Sequence, residues 1–124
     1  MQCIVRSADQ TWFEGAADRV VARSPYGEFA VMNEHAPLVS VLAAGLIRIQ
    51  SSDEEHRIVC KSGTFEVTDN VATLLVERPI RLDAIDVAEI KTQLDTLTNQ
   101  PPAEQDAEEI SYLQLLCSVK ENHG

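Results

Sequence analysis

The hydrophobic period of this 124-residue chain changes once, near Asp83. Before that point apolar residues alternate with polar ones or gather in short runs, the pattern of strands with one or both faces buried. After it they recur every three or four residues, the pattern of a helix with one apolar stripe. A chain with a single switch from period 2 to period 3.6 is restricted to a β segment followed by an α segment. The spacing therefore predicts an N-terminal antiparallel β-sandwich over residues 1–83 and a C-terminal antiparallel two-helix hairpin over residues 84–124.

Nine candidate strands lie at 3–6, 18–23, 28–32, 38–42, 46–50, 57–61, 64–67, 71–77 and 80–82. They recur every eight to twelve residues, roughly as in a sandwich or barrel. In Leu46-Ile47-Arg48-Ile49-Gln50 the two isoleucines face one way, and Arg48 and Gln50 the other. Turn residues separate the runs. Pro25-Tyr26-Gly27 combines a preset φ with a glycine free to take positive φ, and Asp69-Asn70 suits a tight hairpin. Ser51 to Glu55 is a solvated hairpin tip. Trp12-Phe13, the densest aromatic spot, reads either as core closure or as an interface anchor.

Beyond Asp83, the residues Val87, Ile90, Leu94 and Leu97 form one helical stripe. Asp83 is the expected N-cap, and Asp86 and Glu89 suit the positive end of the helix dipole. The helix is expected to end near Thr98-Asn99, before Pro101-Pro102. A second helix is expected from about Ala103 to Lys120, with Ile110, Leu113, Leu116 and Cys117 on one face.

Composition excludes several functions. The net charge is −10, with twelve acidic and eight basic residues in 1–83 and eight acidic and two basic in 84–124. No basic cluster is present to bind nucleic acid or anionic lipid. No run reaches the roughly 20 apolar residues of a membrane span, so no direct membrane insertion is expected. Residues 1–10 have no charged segment leading into an apolar one, and no secretory signal is expected. Cys3, Cys60 and Cys117 have no CxxC spacing, and read as buried free thiols rather than a disulfide framework or zinc site. His35, His56 and His123 share no ligand spacing. No serine sits in a nucleophile turn and no phosphate-binding glycine loop occurs. Lys61-Ser62-Gly63-Thr64 reads as a bend between strands rather than an anion nest. No catalytic residue, metal or cofactor is therefore expected.

The segment GEFAVMNEHAPL, from Gly27 to Leu38, has no catalytic composition and reads as a shaped surface loop on a β scaffold. It also resembles a pattern found in the epsilon subunit of F-type ATP synthase, the delta subunit of mitochondria: G-E-[LF]-G-[IV]-x-P-G-H-A-P-L. Gly27, Glu28, Phe29, Val31, His35, Ala36, Pro37 and Leu38 fit it. Further blocks of that family match Gly45-Leu46-Ile47-Arg48-Ile49, Ser62-Gly63 with Phe65-Glu66-Val67, and Ile85-Asp86. The chain departs from the pattern at Ala30, at Asn33-Glu34 in place of Pro-Gly, and at Thr64 in place of a second glycine.

The resemblance implies a non-catalytic rotor subunit at the foot of the central stalk. Its sandwich would pack on the gamma subunit, at positions the sequence does not identify, and one end would meet the c-ring. Glu28 and His35, with Glu34 as a local addition, are the implied c-ring contacts. The implied location is peripheral, on the cytoplasmic face of a bacterial inner membrane or the equivalent organelle membrane. Some family members bind ATP through [IL]-D-x-x-R-A in the first helix. Here Ile85, Asp86 and Glu89 occupy that motif, with glutamate in place of arginine, so no ATP binding is expected. The family's second helix inhibits through basic residues against acidic segments of the catalytic alpha and beta subunits. An acidic second helix implies weak or altered inhibition. Two rivals stand beside this reading: an ATP-sensing regulator whose hairpin responds to nucleotide, and an unrelated enzyme on a β-sandwich, which needs a pocket of convergent titratable groups.

Overall fold

The computed structural model describes residues 1–123, which form two compact units: Met1–Ile80, and a second beginning at Arg81. The first unit is a sandwich. Its strands are β1 (Gln2–Arg6), β2 (Thr11–Ala16), β3 (Arg19–Ser24), β4 (Gly27–Met32), β5 (Leu38–Leu42), β6 (Gly45–Ser51), β7 (Glu54–Cys60), β8 (Ser62–Thr68) and β9 (Val71–Glu77). A short β10 (Ile80–Arg81) completes the set. One sheet has the order β2-β1-β9-β8-β5 and the other β10-β7-β6-β3-β4.

All nine expected strands are present. The tenth, β2, holds Trp12 and Phe13, which the sequence reading leaves outside any strand. It lies at the edge of its sheet, it contains Gly15, and its register to β1 shifts between Val5 and Arg6. That shift disrupts the alternation by which strands are recognised. Both aromatics pack on the core while staying half-exposed. A second departure is that β1 and β9 pair in parallel, whereas β1–β2, β3–β4, β3–β6, β5–β8, β6–β7 and β8–β9 pair antiparallel.

The core follows from the alternation. Ile47 and Ile49 of β6, Ile58 of β7, Phe65 and Val67 of β8, and Leu74 of β9 are all at most 1% exposed. Phe65 meets Phe29 edge to face, with ring centroids 5.1 Å apart. No charged or polar side chain is buried among the described residues, so burial carries no desolvation cost there.

The second unit begins with a 3-10 turn, Leu82–Ala84, followed by α1 (Val87–Thr98). A second 3-10 turn, Pro102–Glu104, precedes α2 (Ala107–His123). Asp86, not Asp83, caps α1: its side chain accepts the Glu89 N–H at 3.3 Å. Asp83 lies inside the 3-10 turn and is unavailable as a cap. Asp106 caps α2 in the same way, accepting the Glu109 N–H at 3.1 Å. Pro101 and Pro102 turn the chain, which delays α2 to Ala107 rather than Ala103. The α1 stripe is as expected, with Ile90 buried and Val87, Leu94 and Leu97 half-buried. On α2 the buried set is Tyr112, Leu113, Leu116 and Cys117, with Ile110 half-buried.

Candidate functional site

The pleat gives each sheet a second face, turned outward, and one of these carries exposed apolar side chains among polar ones. In the register of the first sheet, Val41 lies opposite Thr64, and Thr64 opposite Leu75. In the next row Val39 is followed by Glu66, Thr73 and Ile4. Val39 is 78% exposed, Val41 58% and Leu75 53%. Three exposed apolar side chains on one outer sheet face, with Glu66 and Arg6 in the same rows, mark an interaction surface more than an isolated exposed valine would. The signal was present in Leu38-Val39-Ser40-Val41-Leu42, a run apolar on both sides at the edge of a sheet.

The loops gather at two ends of the sandwich, and β4 runs from one to the other. At the first end, Pro25 and Tyr26 turn between β3 and β4. Ser24 Oγ accepts the Tyr26 N–H at 3.1 Å and donates to the Gly27 carbonyl at 3.1 Å. Gly27 takes φ 124°, which explains the glycine there. Tyr26 is left fully exposed, a feature the sequence reading did not single out. Glu28 follows at once. It is exposed, lies beside Arg23 in register, and is 3.4 Å from Arg48 Nη2.

At the second end lie Glu34 and His35. Strand rise alone puts about 13 Å between Glu28 and Met32, so the structure does not bring Glu28 together with the other two expected contact residues. Glu34 adopts φ 62°, and its N–H donates to Asn70 Oδ1 at 2.9 Å. The Met1 amino group donates to Asn33 Oδ1 and to the Ala17 carbonyl. His35 Nδ1 donates to the Ala36 carbonyl at 2.6 Å, which requires a proton on that nitrogen. Both side chains are exposed.

The remaining expected positions are equally plain. Ile85 is buried, Asp86 is committed to the α1 cap, and Glu89 is exposed. At the Lys61-Ser62-Gly63-Thr64 step, the Lys61 N–H donates to the Glu77 carbonyl at 3.0 Å, Ser62 Oγ donates to Glu77 Oε2 at 2.8 Å, and Ser62 to Thr64 belong to β8. No group of three or more His, Cys, Asp or Glu side chains converges among the described residues. Burial pushes the Cys3 and Cys60 thiols up to about 12, the nearby amino terminus partly opposing this at Cys3. As thiols they are poor nucleophiles. A groove of about 520 Å³ is lined by Ser7, Trp12, Glu77, Arg78 and Pro79 among others. Within it Trp12 Nε1 donates to Ser7 Oγ at 3.0 Å.

An apolar interior, exposed apolar side chains on one outer sheet face and exposed loops at both ends define a β-sandwich with surfaces open to contact. The family model for the ATP synthase delta/epsilon chain β-sandwich domain matches residues 1–82, and the chain belongs to that family. It is 36% identical over 88 residues to the ATP synthase epsilon chain of Hydrogenovibrio crunogenus, covering 71% of this chain and 61% of that one. To the epsilon chain of Acinetobacter baylyi it is 37% identical over 91 residues, covering 73% and 66%. The match thus spans less than two thirds of the length of these relatives.

Two solved structures share the fold. A chain of the Euglena gracilis mitochondrial ATP synthase OSCP/F1/c-ring structure superposes with a TM-score of 0.72 at 18% identity, covering 96% of this chain and 76% of that chain. One from the Tetrahymena thermophila mitochondrial ATP synthase central stalk and c-ring gives 0.67 at 15% identity, covering 96% and 95%. No helix among the described residues is long and apolar enough to cross a membrane.

Proposed function

We propose that this chain is a non-catalytic central-stalk subunit of an F-type ATP synthase, joining the gamma subunit to the c-ring and so coupling ion translocation to ATP synthesis. The observation that carries this reading is the family match across the whole sandwich. The Tetrahymena structure, of a central stalk and c-ring, supports it. In this reading the protein is peripheral to the membrane and held there by its partners.

Gamma is assigned to the outer sheet face bearing Val39, Val41 and Leu75, the surface with most to gain from burial. The ring contact needs one end of the sandwich, and Glu28 and His35 lie at different ends. We assign it to the Tyr26–Glu28 end. There a rigid turn presents a fully exposed aromatic, and the Glu28–Arg48 pair, at 3.4 Å and exposed, is loose enough to exchange for a guanidinium on the partner. At the other end the loop backbone of Glu34 is bound to Asn70, and the imidazole of His35 to its own neighbour.

The hairpin is assigned weak or altered inhibition of ATP hydrolysis. Its eight acidic and two basic residues would be repelled by acidic segments of alpha and beta. ATP sensing is the less favoured reading. Asp86 is occupied as a cap, and Glu89 places negative charge where phosphate would approach.

Reconstituted enzyme carrying Glu28→Gln, or Glu34→Gln with His35→Asn, tests the ring assignment. Loss of coupled proton pumping is expected from the first variant and not from the second. The reverse pattern would move the contact to the Glu34–His35 end, and no effect from either would remove all three residues from the ring.

A further inference from the structure

Residues 84–124 hold two lysines and eight acidic residues, and both lysines are engaged inside the helical unit. Lys91, on α1, has its Nζ 3.7 Å from Glu121 Oε1 on α2. Lys120, in the last turns of α2, donates from Nζ to the Leu82 carbonyl at 3.2 Å. That carbonyl also accepts the Ile85 N–H at 3.3 Å, closing the 3-10 turn that leads into α1. Lys120 and Glu121 are adjacent, so both contacts fall at the open end of the hairpin, where α1 begins and α2 finishes. The opposite end is closed by the chain itself and by Gln105, whose Nε2 donates to the Thr98 and Gln100 carbonyls at 3.1 and 2.9 Å.

We infer that Lys120 and Lys91 form a clasp that keeps α2 shut against α1, so that closure of this hairpin is written into its own lysines and needs no nucleotide. An antiparallel helix pair joined by a short turn opens from its free end, and that is where the two cations act. Lys120 carries more of the closure than Lys91. It is partly buried and bonds a carbonyl whose residue, Leu82, is 1% exposed. The Lys91–Glu121 pair is exposed on both sides and contributes little. Both cations stand near the C-terminus of α2, where the helix dipole favours positive charge.

Hydrogen exchange of the α2 amides in the full-length chain reads the clasp directly. Lys120→Met keeps helix propensity nearly unchanged and removes the bond. Exchange across α2 is expected to rise about tenfold, the usual effect of losing one hydrogen bond from a charged donor, while the sandwich amides stay as they were. Lys91→Glu or Glu121→Lys alone should speed exchange by about two- to threefold, as expected for one exposed pair. The double swap should restore it, which a change in packing alone would not do. Millimolar ATP should leave α2 exchange unchanged. Native exchange rates in Lys120→Met, or protection that appears only with ATP, would overturn the clasp. Because the isolated chain is used, either result is independent of which complex the protein joins.

Discussion

Gly63 sits near the start of β8, between two neighbouring strands, opposite Leu42 on one side and Val76 on the other. A Cβ there would lie 2.1 Å from the Leu75 carbonyl oxygen, a contact relieved only by moving a strand. Gly63→Ala is therefore expected to destabilise the sandwich by about 2–3 kcal/mol, in line with overpacking in a well-packed core, measured by urea denaturation. Glu34 presents the opposite case. It holds φ 62° where the resembling pattern has glycine, a conformation costing roughly 1 kcal/mol for a residue with a Cβ. Glu34→Gly should raise stability by up to about 1 kcal/mol and the Tm by a few degrees. A fall in Tm would mean that the Glu34 side chain stabilises the loop in ways its exposure does not suggest.

The buried thiols give a pH signature. Folding raises Cys3 and Cys60 from 9.0 to about 12. Unfolded thiols therefore ionise first as the pH rises, and this favours the unfolded chain. The stability contributed by keeping them neutral is whole below pH 9 and lost as pH climbs toward 12. Urea midpoints should fall over that window, and Cys3→Ala with Cys60→Ala should flatten the decline even though it lowers stability at neutral pH. A slope unchanged in the double variant would show that other groups control alkaline unfolding.

Among the elements, regular alternation and clear turn residues made most strands legible, β6 with Ile47 and Ile49 being the plainest. β2 was not, because a register shift and an edge position removed the pattern on which the reading depends. The α1 cap was misplaced by three residues, since Asp83 and Asp86 are chemically equivalent and only the intervening 3-10 turn decides between them. The candidate site was only half legible. Glu28, Glu34 and His35 are exposed, but the length of β4 from Glu28 to Met32 separates what one sequence motif runs together. The exposure of Tyr26 and the clustering of Val39, Val41 and Leu75 depend on turn shape and strand register, which single positions do not encode. For the hairpin, deletion of residues 84–124 from reconstituted enzyme is expected to change ATP hydrolysis less than twofold. Strong activation would mean that this acidic hairpin inhibits through contacts other than basic-on-acidic pairing.

For the whole molecule, the core residues that pack together run from Cys3 to Val76 and include none from the helical unit. The sandwich thus carries its own apolar interior, and its polar groups and remaining apolar surface are turned outward. In the proposed role the molecule acts by being held on two sides, on gamma through the outer sheet face and on the ring through one end. The measurement that bears most directly on this is native mass spectrometry of the chain co-expressed with the gamma subunit of its own organism. A one-to-one complex is expected, lost when Val39→Asp and Val41→Asp are introduced together while the variant remains folded. Failure of the native chain to retain gamma would contradict its place in the stalk.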